Sequence, residues 1–311
     1  MNKMISVVTP CYNEEDNVEP LYERIKAVFA EFPQYRYEHL FIDNSSTDRT
    51  VEKVKELAAR DINVKLIVNI RNFGHIRSPV HAIQQTKGDA VICLASDLQD
   101  PPELIGEFIA KWEEGYPVVA GIKPKSLETP LMFLVRRSYY KLISKISDVP
   151  LLQNFTGFGL YDRSVIEVIR KLDDPYPYFR GLISELGFPV AQIPYVQPKR
   201  IRGITKNNFY TLYDMAMLGI TSHSKIPLRM ATFFGFCVGG LSFFVALGYL
   251  IYKLLYWDNF QLGTAPLIIG FFFIASVQLF FIGILGEYIG AIHTQVLRRP
   301  LVIEKERVNF D

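Results

Sequence analysis

The sequence predicts an α/β protein with a doubly wound, mostly parallel sheet, followed towards the C-terminus by a transmembrane hairpin of two helices. Three observations predict it. Short β-branched runs alternate with segments of helical periodicity from Ile5 to Gly121. Polar loops follow those runs, at the ends where a parallel sheet gathers its ligands. Two long uncharged runs, Met230 to Tyr252 and Asn259 to Gly286, can each cross a bilayer, whose ~30 Å core takes roughly 20 residues of helix at ~1.5 Å per residue.

Taken in order, Ile5-Ser-Val-Val-Thr9 reads as a buried strand, and Pro10 to Asn17 as a loop into a helix whose Leu21, Ile25, Val28 and Phe29 keep helical spacing. His39 to Ile42 is the next strand, Asp43 to Thr50 a polar loop and Val51 to Ala59 a helix. Val64 to Val68, Ala90 to Ala95 and Val118 to Gly121 are further strands. Leu131 to Ser147 sets Arg137, Lys141 and Lys145 beside an apolar face of Leu131, Val135, Tyr139, Leu142 and Ile146, a basic amphipathic helix suited to an anionic membrane surface. A second surface helix is expected over about 207–222. The boundaries that follow are 1–225 for a water-facing domain, 226–292 for the hairpin, with helices at about 230–253 and 262–287, and 293–311 for a tail.

Composition narrows the classes. A chain of 311 residues, 49% hydrophobic and 21% charged, holds one α/β domain and a hairpin but not a many-span transporter. A net charge of +2 gives no reason to expect nucleic acid. Cys11, Cys93 and Cys237 are far apart, one of them inside a membrane run, and read as free thiols in a reducing compartment. Ile5 to Val8 is too short for a secretory signal and runs into Glu14, Glu15 and Asp16. Lys225 and Arg229 precede the first apolar run, and Arg298, Arg299 and Lys305 follow the second. The connecting Trp257 to Gly263 has Asp258 and no Lys or Arg. The positive-inside rule therefore puts both termini in the cytoplasm.

The dinucleotide fingerprint GxGxxG and the P-loop are absent after every strand, so NAD or ATP sites of those kinds are not expected. The strand ends carry Tyr12-Asn13-Glu14, Asp43 and Asp97-Leu-Gln-Asp100 instead. Five segments, Pro10-Cys-Tyr-Asn-Glu14, Ile42-Asp-Asn-Ser-Ser-Thr-Asp-Arg-Thr50, Arg71-Asn-Phe-Gly74, Asp97-Leu-Gln-Asp-Pro-Pro-Glu103 and Gly286-Glu-Tyr-Ile-Gly290 with Arg299-Pro300, run nearly end to end. In this order, with the hairpin, they resemble the family 2 glycosyltransferases of GT-A fold. Within that family they are most similar to the polyprenyl-phosphate group of dolichyl-phosphate mannosyltransferase and the bactoprenol glucosyltransferases.

The resemblance implies a Rossmann-like GT-A domain. It implies inverting, metal-dependent transfer of a sugar from a nucleotide donor, expected to be UDP-linked, to undecaprenyl or another polyprenyl phosphate at the cytoplasmic leaflet of the inner membrane. By the same resemblance Pro10, Tyr12, Glu14 and Asp43 hold the nucleoside and Arg71 and Gly74 border its cleft. Asp97 is the catalytic carboxylate and, with Gln99, approaches Mg2+ or Mn2+, hard ions that take oxygen ligands and complete their shell with substrate phosphates. Lys123, Arg136, Arg137, Arg200, Arg202 and Lys206 are the cations expected around the lipid phosphate. The partners implied are a nucleotide sugar, polyprenyl phosphate and membrane lipid, and self-association of copies stays open. Taken singly, Asp43 also reads as a helix N-cap and Tyr12 as a core aromatic. A lone loop histidine such as His75 reads as structural more readily than catalytic.

Three positions depart from the family pattern: Asp43-Asn44 where two Asp are usual, Ala95-Ser96-Asp97 where Asp-x-Asp is usual, and Gly157-Phe158-Gly159 where Asp-Phe-Arg is usual. The last removes the residue most often proposed as the base. A lipid phosphate, with a second pKa of about 6, is ionised near neutral pH and needs no proton removed, whereas a sugar hydroxyl does. The loss therefore argues for a phosphate acceptor. Two rival readings are a processive polysaccharide synthase and a catalytically silent scaffold. The first needs a Gln-x-x-Arg-Trp motif that neither Trp112 nor Trp257 supplies, and the second is suggested by the missing carboxylates.

Overall fold

A computed structural model describes residues 3–123, 152–198, 213–214, 217–221, 224–256 and 264–310. The chain begins β1 (Met4–Cys11), α1 (Val18–Ala30), β2 (Arg36–Asp43), α2 (Thr50–Arg60), β3 (Val64–Asn69), α3 (Gly74–Gln85) and β4 (Ala90–Cys93). It continues through α4 (Ile105–Glu113), β5 (Val118–Ile122), β6 (Phe155–Asp162), α5 (Arg163–Leu172), α6 (Phe179–Glu185) and β7 (Val190–Pro194). Last come α7 (Ile226–Leu255), α8 (Thr264–Val296) and β8 (Glu304–Val308). The strands make one 8-stranded sheet in the order β7-β5-β6-β4-β1-β2-β3-β8.

Pairing is parallel for β1 with β2 and β4, for β2 with β3 and for β5 with β7, while β6 and β8 run antiparallel to their neighbours. The expected strands are all present; four extend slightly beyond their apolar runs, while β4 stops at Cys93, short of the expected Ala95. Central parallel strands are covered on both faces, which is why β1 carries a run of buried residues from Ile5 to Thr9 and not an alternation. One face packs Leu21 and Ile25 of α1 and Phe108 and Trp112 of α4 on Ile5, Val7 and Phe158. The other packs Val80 and Ile83 of α3, Ile166 of α5 and Ile183 of α6 on Val8, Ile42 and Tyr161. The carboxyl ends of β1, β2, β4 and β5 thus emerge along one rim.

The sheet also reclaims the C-terminus. After α8 the chain returns and adds β8 to the β3 edge, where Glu306 pairs with Lys55 at 2.7 Å and Glu304 with His81 at 2.5 Å. Asn309 Nδ2 donates to the carbonyls of Ala58 and Val64, each at 2.8 Å. No strand was expected at Glu304-Lys-Glu-Arg-Val308, because charge on an edge strand hides the β pattern while blocking unwanted pairing.

Helices α7 and α8 have 30 and 33 residues, roughly 45 and 50 Å at 1.5 Å each. Both run past the apolar segments expected at their C-terminal ends, since Glu287 and His293 continue α8 beyond the apolar run. Phe233, Phe236, Phe244, Phe271, Phe273 and Phe280 are exposed on them. Phe273–Val296 is long and apolar enough to cross a bilayer, and only 6% of its most apolar window is buried within the protein. A core helix of a water-soluble domain would be mostly covered; this one presents its apolar surface outward. The expected helix at 131–147 lies outside the described residues. Of 207–222, residues 213–214 and 217–221 are described, and they are helical.

Candidate active site

Backbone strain collects at the strand ends. The loops after β1, β2 and β4 each hold a non-glycine residue in the left-handed region, Asn13 (φ 55°), Ser45 (φ 65°) and Leu98 (φ 60°), a conformation kept only where surrounding bonds enforce it. Those bonds are present. Asn13 N–H donates to Ser46 Oγ and Thr47 N–H to Asn13 Oδ1, both at 2.8 Å, and Glu14 N–H donates to Thr50 Oγ1 at 2.8 Å. The first two loops are therefore one unit that carries Pro10, Tyr12, Glu14 and Asp43 together. Asp43 is fully buried, and both its oxygens accept from Ser46, one from the backbone N–H at 2.9 Å and one from the hydroxyl. Burial pushes its pKa up against the opposing pull of those bonds. Its carboxylate shapes the loop from within.

Asn44 explains one departure from the family pattern. Its Nδ2 donates to Asn72 Oδ1 at 2.8 Å and to the Gly74 carbonyl at 3.1 Å, while its Oδ1 accepts from Phe73 N–H at 2.8 Å and Asn69 Nδ2 at 3.2 Å. An aspartate has no N–H to give. The amide ties the end of β2 to the Arg71–Gly74 turn, where exposed Arg71 lies over the Phe73 ring at 4.0 Å and Gly74 opens α3.

The loop after β4 carries the metal candidates. Asp97 is half-buried; its Oδ1 accepts from Gln99 N–H at 3.2 Å, and its Oδ2 has no hydrogen bond to a described residue. The side-chain amide of Gln99 is likewise unengaged by the described residues. Two hard oxygens in one loop, neither engaged by a described residue, fit a divalent cation in chemistry. Among the described residues no three His, Cys, Asp or Glu side chains converge, so a bound ion would draw further ligands from substrate. Asp100 is buried beneath, its oxygens accepting from Ala95 N–H at 3.1 Å and Tyr195 O–H at 3.0 Å. Burial pushes its carboxyl up to about 6. It holds the loop in place.

A cavity of about 260 Å3 opens at the same rim, lined by Pro10, Ala95 and Asp100, by His75, Ile76 and Pro79 of α3, by Thr156 and Gly157, and by Tyr178, Phe179 and Arg180. Gly157 has φ 98°, which glycine adopts freely, and a Cβ there would meet nothing closer than Phe179 at 3.7 Å. Gly159 is different: a Cβ would overlap the Val119 carbonyl oxygen across the β5–β6 pair. The arginine of the family pattern does not fit at this position, because β5 lies too close.

Of the expected lipid-phosphate cations, Lys123 directly follows β5, with Nζ donating to Gln197 Oε1 at 3.0 Å. Arg136, Arg137, Arg200, Arg202 and Lys206 lie outside the described residues. The structure brings Pro10, Tyr12, Glu14, Asp43, Arg71, Gly74, Asp97 and Gln99 to the same set of strand-end loops. His75, Asp100 and Arg180 line the cavity without having been selected from the sequence as site residues. For Arg180 the one cue was its place just after the Pro175-Tyr-Pro177 turn.

Residues 6–170 match the family described as Glycosyl transferase family 2, and residues 227–292 match the GtrB C-terminal hairpin. The chain is 35% identical over 307 residues to the Bacillus subtilis uncharacterized glycosyltransferase YkcC, covering 98% of this chain and 94% of that protein. It is also 35% identical over 303 residues to a prophage-derived bactoprenol glucosyl transferase of Shigella flexneri, covering 97% of each. Among solved structures, a Pyrobaculum calidifontis mannosyltransferase in complex with GDP-Man and Mn2+ aligns with a TM-score of 0.48 at 16% identity, over 95% of this chain and 88% of that one. The family match over residues 6–170 and the two relatives at 35% identity establish that the chain belongs to glycosyltransferase family 2.

Proposed function

We propose that the protein transfers a sugar, with inversion, from a UDP-linked donor to a polyprenyl phosphate at the cytoplasmic leaflet. The observation that carries the acceptor assignment is Gly157. It lines the cavity at the position where the resemblance to the family pattern leads one to expect a carboxylate base, and it supplies no side chain. A phosphate oxygen is already an anion near neutral pH, its second pKa being about 6, so it attacks the anomeric carbon without proton removal. The bond to the leaving diphosphate breaks on the opposite face. The strand-end unit of Tyr12, Glu14 and Asp43, buttressed by Asn44 and the Arg71–Gly74 turn, orients the nucleoside. Asp97 and Gln99 would hold Mg2+ or Mn2+, which neutralises charge on the leaving diphosphate. Asp100 keeps their loop in register, and Lys123, with Arg136, Arg137, Arg200, Arg202 and Lys206, provides positive charge for the lipid phosphate.

The proposal includes a two-span topology with both termini cytoplasmic, the side that the basic flanks Lys225, Arg229, Arg298 and Arg299 favour. β7 precedes the hairpin and β8 follows it, yet both belong to one sheet, which supports an even number of crossings between them. The homologues named as bactoprenol glucosyl transferases support a polyprenyl acceptor. To test the reading, purified protein is incubated with undecaprenyl phosphate, Mg2+ or Mn2+ and a panel of nucleotide sugars, and lipid products are identified by mass. A lipid-phosphate sugar formed from a UDP donor is expected. Release of free sugar with no lipid product would overturn the proposal.

A further inference from the structure

Arg180 stands on the cavity wall with its guanidinium only partly used. Nε donates to the Thr156 carbonyl at 3.1 Å, which fixes the group beside Gly157. The two terminal nitrogens make no hydrogen bond or ion pair to any described residue. Facing it from α3 is His75, whose imidazole is pushed below the usual range by desolvation against the wall and then by the Arg180 charge. The same cavity contains Asp100, but its oxygens already accept from Ala95 and Tyr195. The remaining wall is largely apolar, formed by Ile76, Pro79, Ile83, Phe158 and Phe179.

A half-buried guanidinium whose terminal nitrogens have no partner among the described residues, set beside an apolar wall, is open to an anion. Its planar fork matches two oxygens of a phosphate, and a neutral imidazole beside it can give one further N–H. We infer that Arg180 is the phosphate-recognition residue of this cavity, gripping phosphate oxygens with its terminal nitrogens while the organic part of the ligand lies on the apolar wall. The inference rests on the proposed transfer reaction. That reaction brings two phosphates to the rim, the acceptor monoester and the donor diphosphate, and both offer the same oxygens.

The test uses the full chain in neutral detergent at high salt, as the parent, Arg180→Gln and Arg180→Lys. Calorimetry measures binding of farnesyl phosphate, of uridine diphosphate with Mg2+, and of farnesol as the uncharged control. Replacing a charge-assisted bond is expected to weaken one phosphate ligand about tenfold to a hundredfold in Arg180→Gln, leaving the other within about twofold and farnesol unchanged. Arg180→Lys is expected to recover part of the loss, since it keeps the charge without the fork. The arm that weakens identifies the source of the phosphate. Parental affinity for both phosphates in Arg180→Gln would overturn the inference and leave the transfer reaction standing. A parent that binds neither phosphate would overturn the transfer reaction, and this inference with it. If Arg180→Gln does not fold, Arg180→Lys decides: a selective loss in one arm supports the assignment, and parental affinity in both overturns it.

Discussion

Restoring the missing carboxylate should harm this enzyme. Gly157 sits at φ 98°, where a residue with a Cβ bears roughly 1–3 kcal/mol of backbone strain. Space is not the obstacle, because the nearest atom to a built Cβ is 3.7 Å away. At about 2–4 °C per kcal/mol for a domain of this size, Gly157→Ala should lower the melting temperature by roughly 2–12 °C. Gly157→Asp should lower it similarly and add a second effect. A carboxylate ~5 Å from the acceptor phosphate, at an effective dielectric constant of about 20, repels each unit of phosphate charge by roughly 3 kcal/mol, on the order of a hundredfold in affinity. The alanine variant carries the strain without the charge, so the comparison isolates the electrostatic part. The assay is kcat and KM for polyprenyl phosphate with donor saturating, beside thermal melting of all three proteins. Higher KM in Gly157→Asp than in Gly157→Ala, at matched stability, is the expected outcome. Faster transfer by Gly157→Asp than by the parent would mean that a base was wanted, refuting the argument for a phosphate acceptor.

Three further outcomes are expected. Asp97→Ala should reduce metal-stimulated transfer by more than about 100-fold, beyond the 10- to 100-fold that disturbing an outer partner of a metal costs; metal titration of activity checks it, and near-parental turnover would remove Asp97 from the site. Ending the chain after Ile303 deletes β8, its half-exposed ion pair with Lys55 and the two Asn309 bonds. That loss is worth roughly 2–5 kcal/mol and bares the β3 edge, so melting should fall and light scattering rise. Burial raises the Asp100 carboxyl to about 6 from an ordinary 3.8. The folded chain therefore keeps a proton that the unfolded chain releases, and this group's contribution to stability is lost as pH rises through that window. Denaturant titrations across the window should show a flatter profile for Asp100→Asn than for the parent.

Much of the sheet was legible because its central strands are β-branched runs buried on both faces, as in Ile5 to Thr9 and Val64 to Val68. β6 was hidden by Gly157 and Gly159, which weaken a strand pattern although the close approach to β5 requires the second of them. β8 was hidden by its own charges. The strand-end loops were legible as polar motifs, but the use of each side chain was not. Asn44 read as an aspartate that had lost its charge, whereas its N–H groups stitch two loops together. Arg180 carried no motif, since its place on the cavity wall depends on the bond to Thr156 in a strand that the sequence did not disclose.

The central claim is that an already ionised phosphate, and not a hydroxyl activated by a base, receives the sugar. Purified protein with UDP-sugar and divalent metal should be offered polyprenyl phosphate and the corresponding polyprenol side by side, with products identified by mass. The account predicts a glycosylated lipid phosphate from the first and no glycosylated lipid from the second. Transfer to polyprenol at a comparable rate would contradict it.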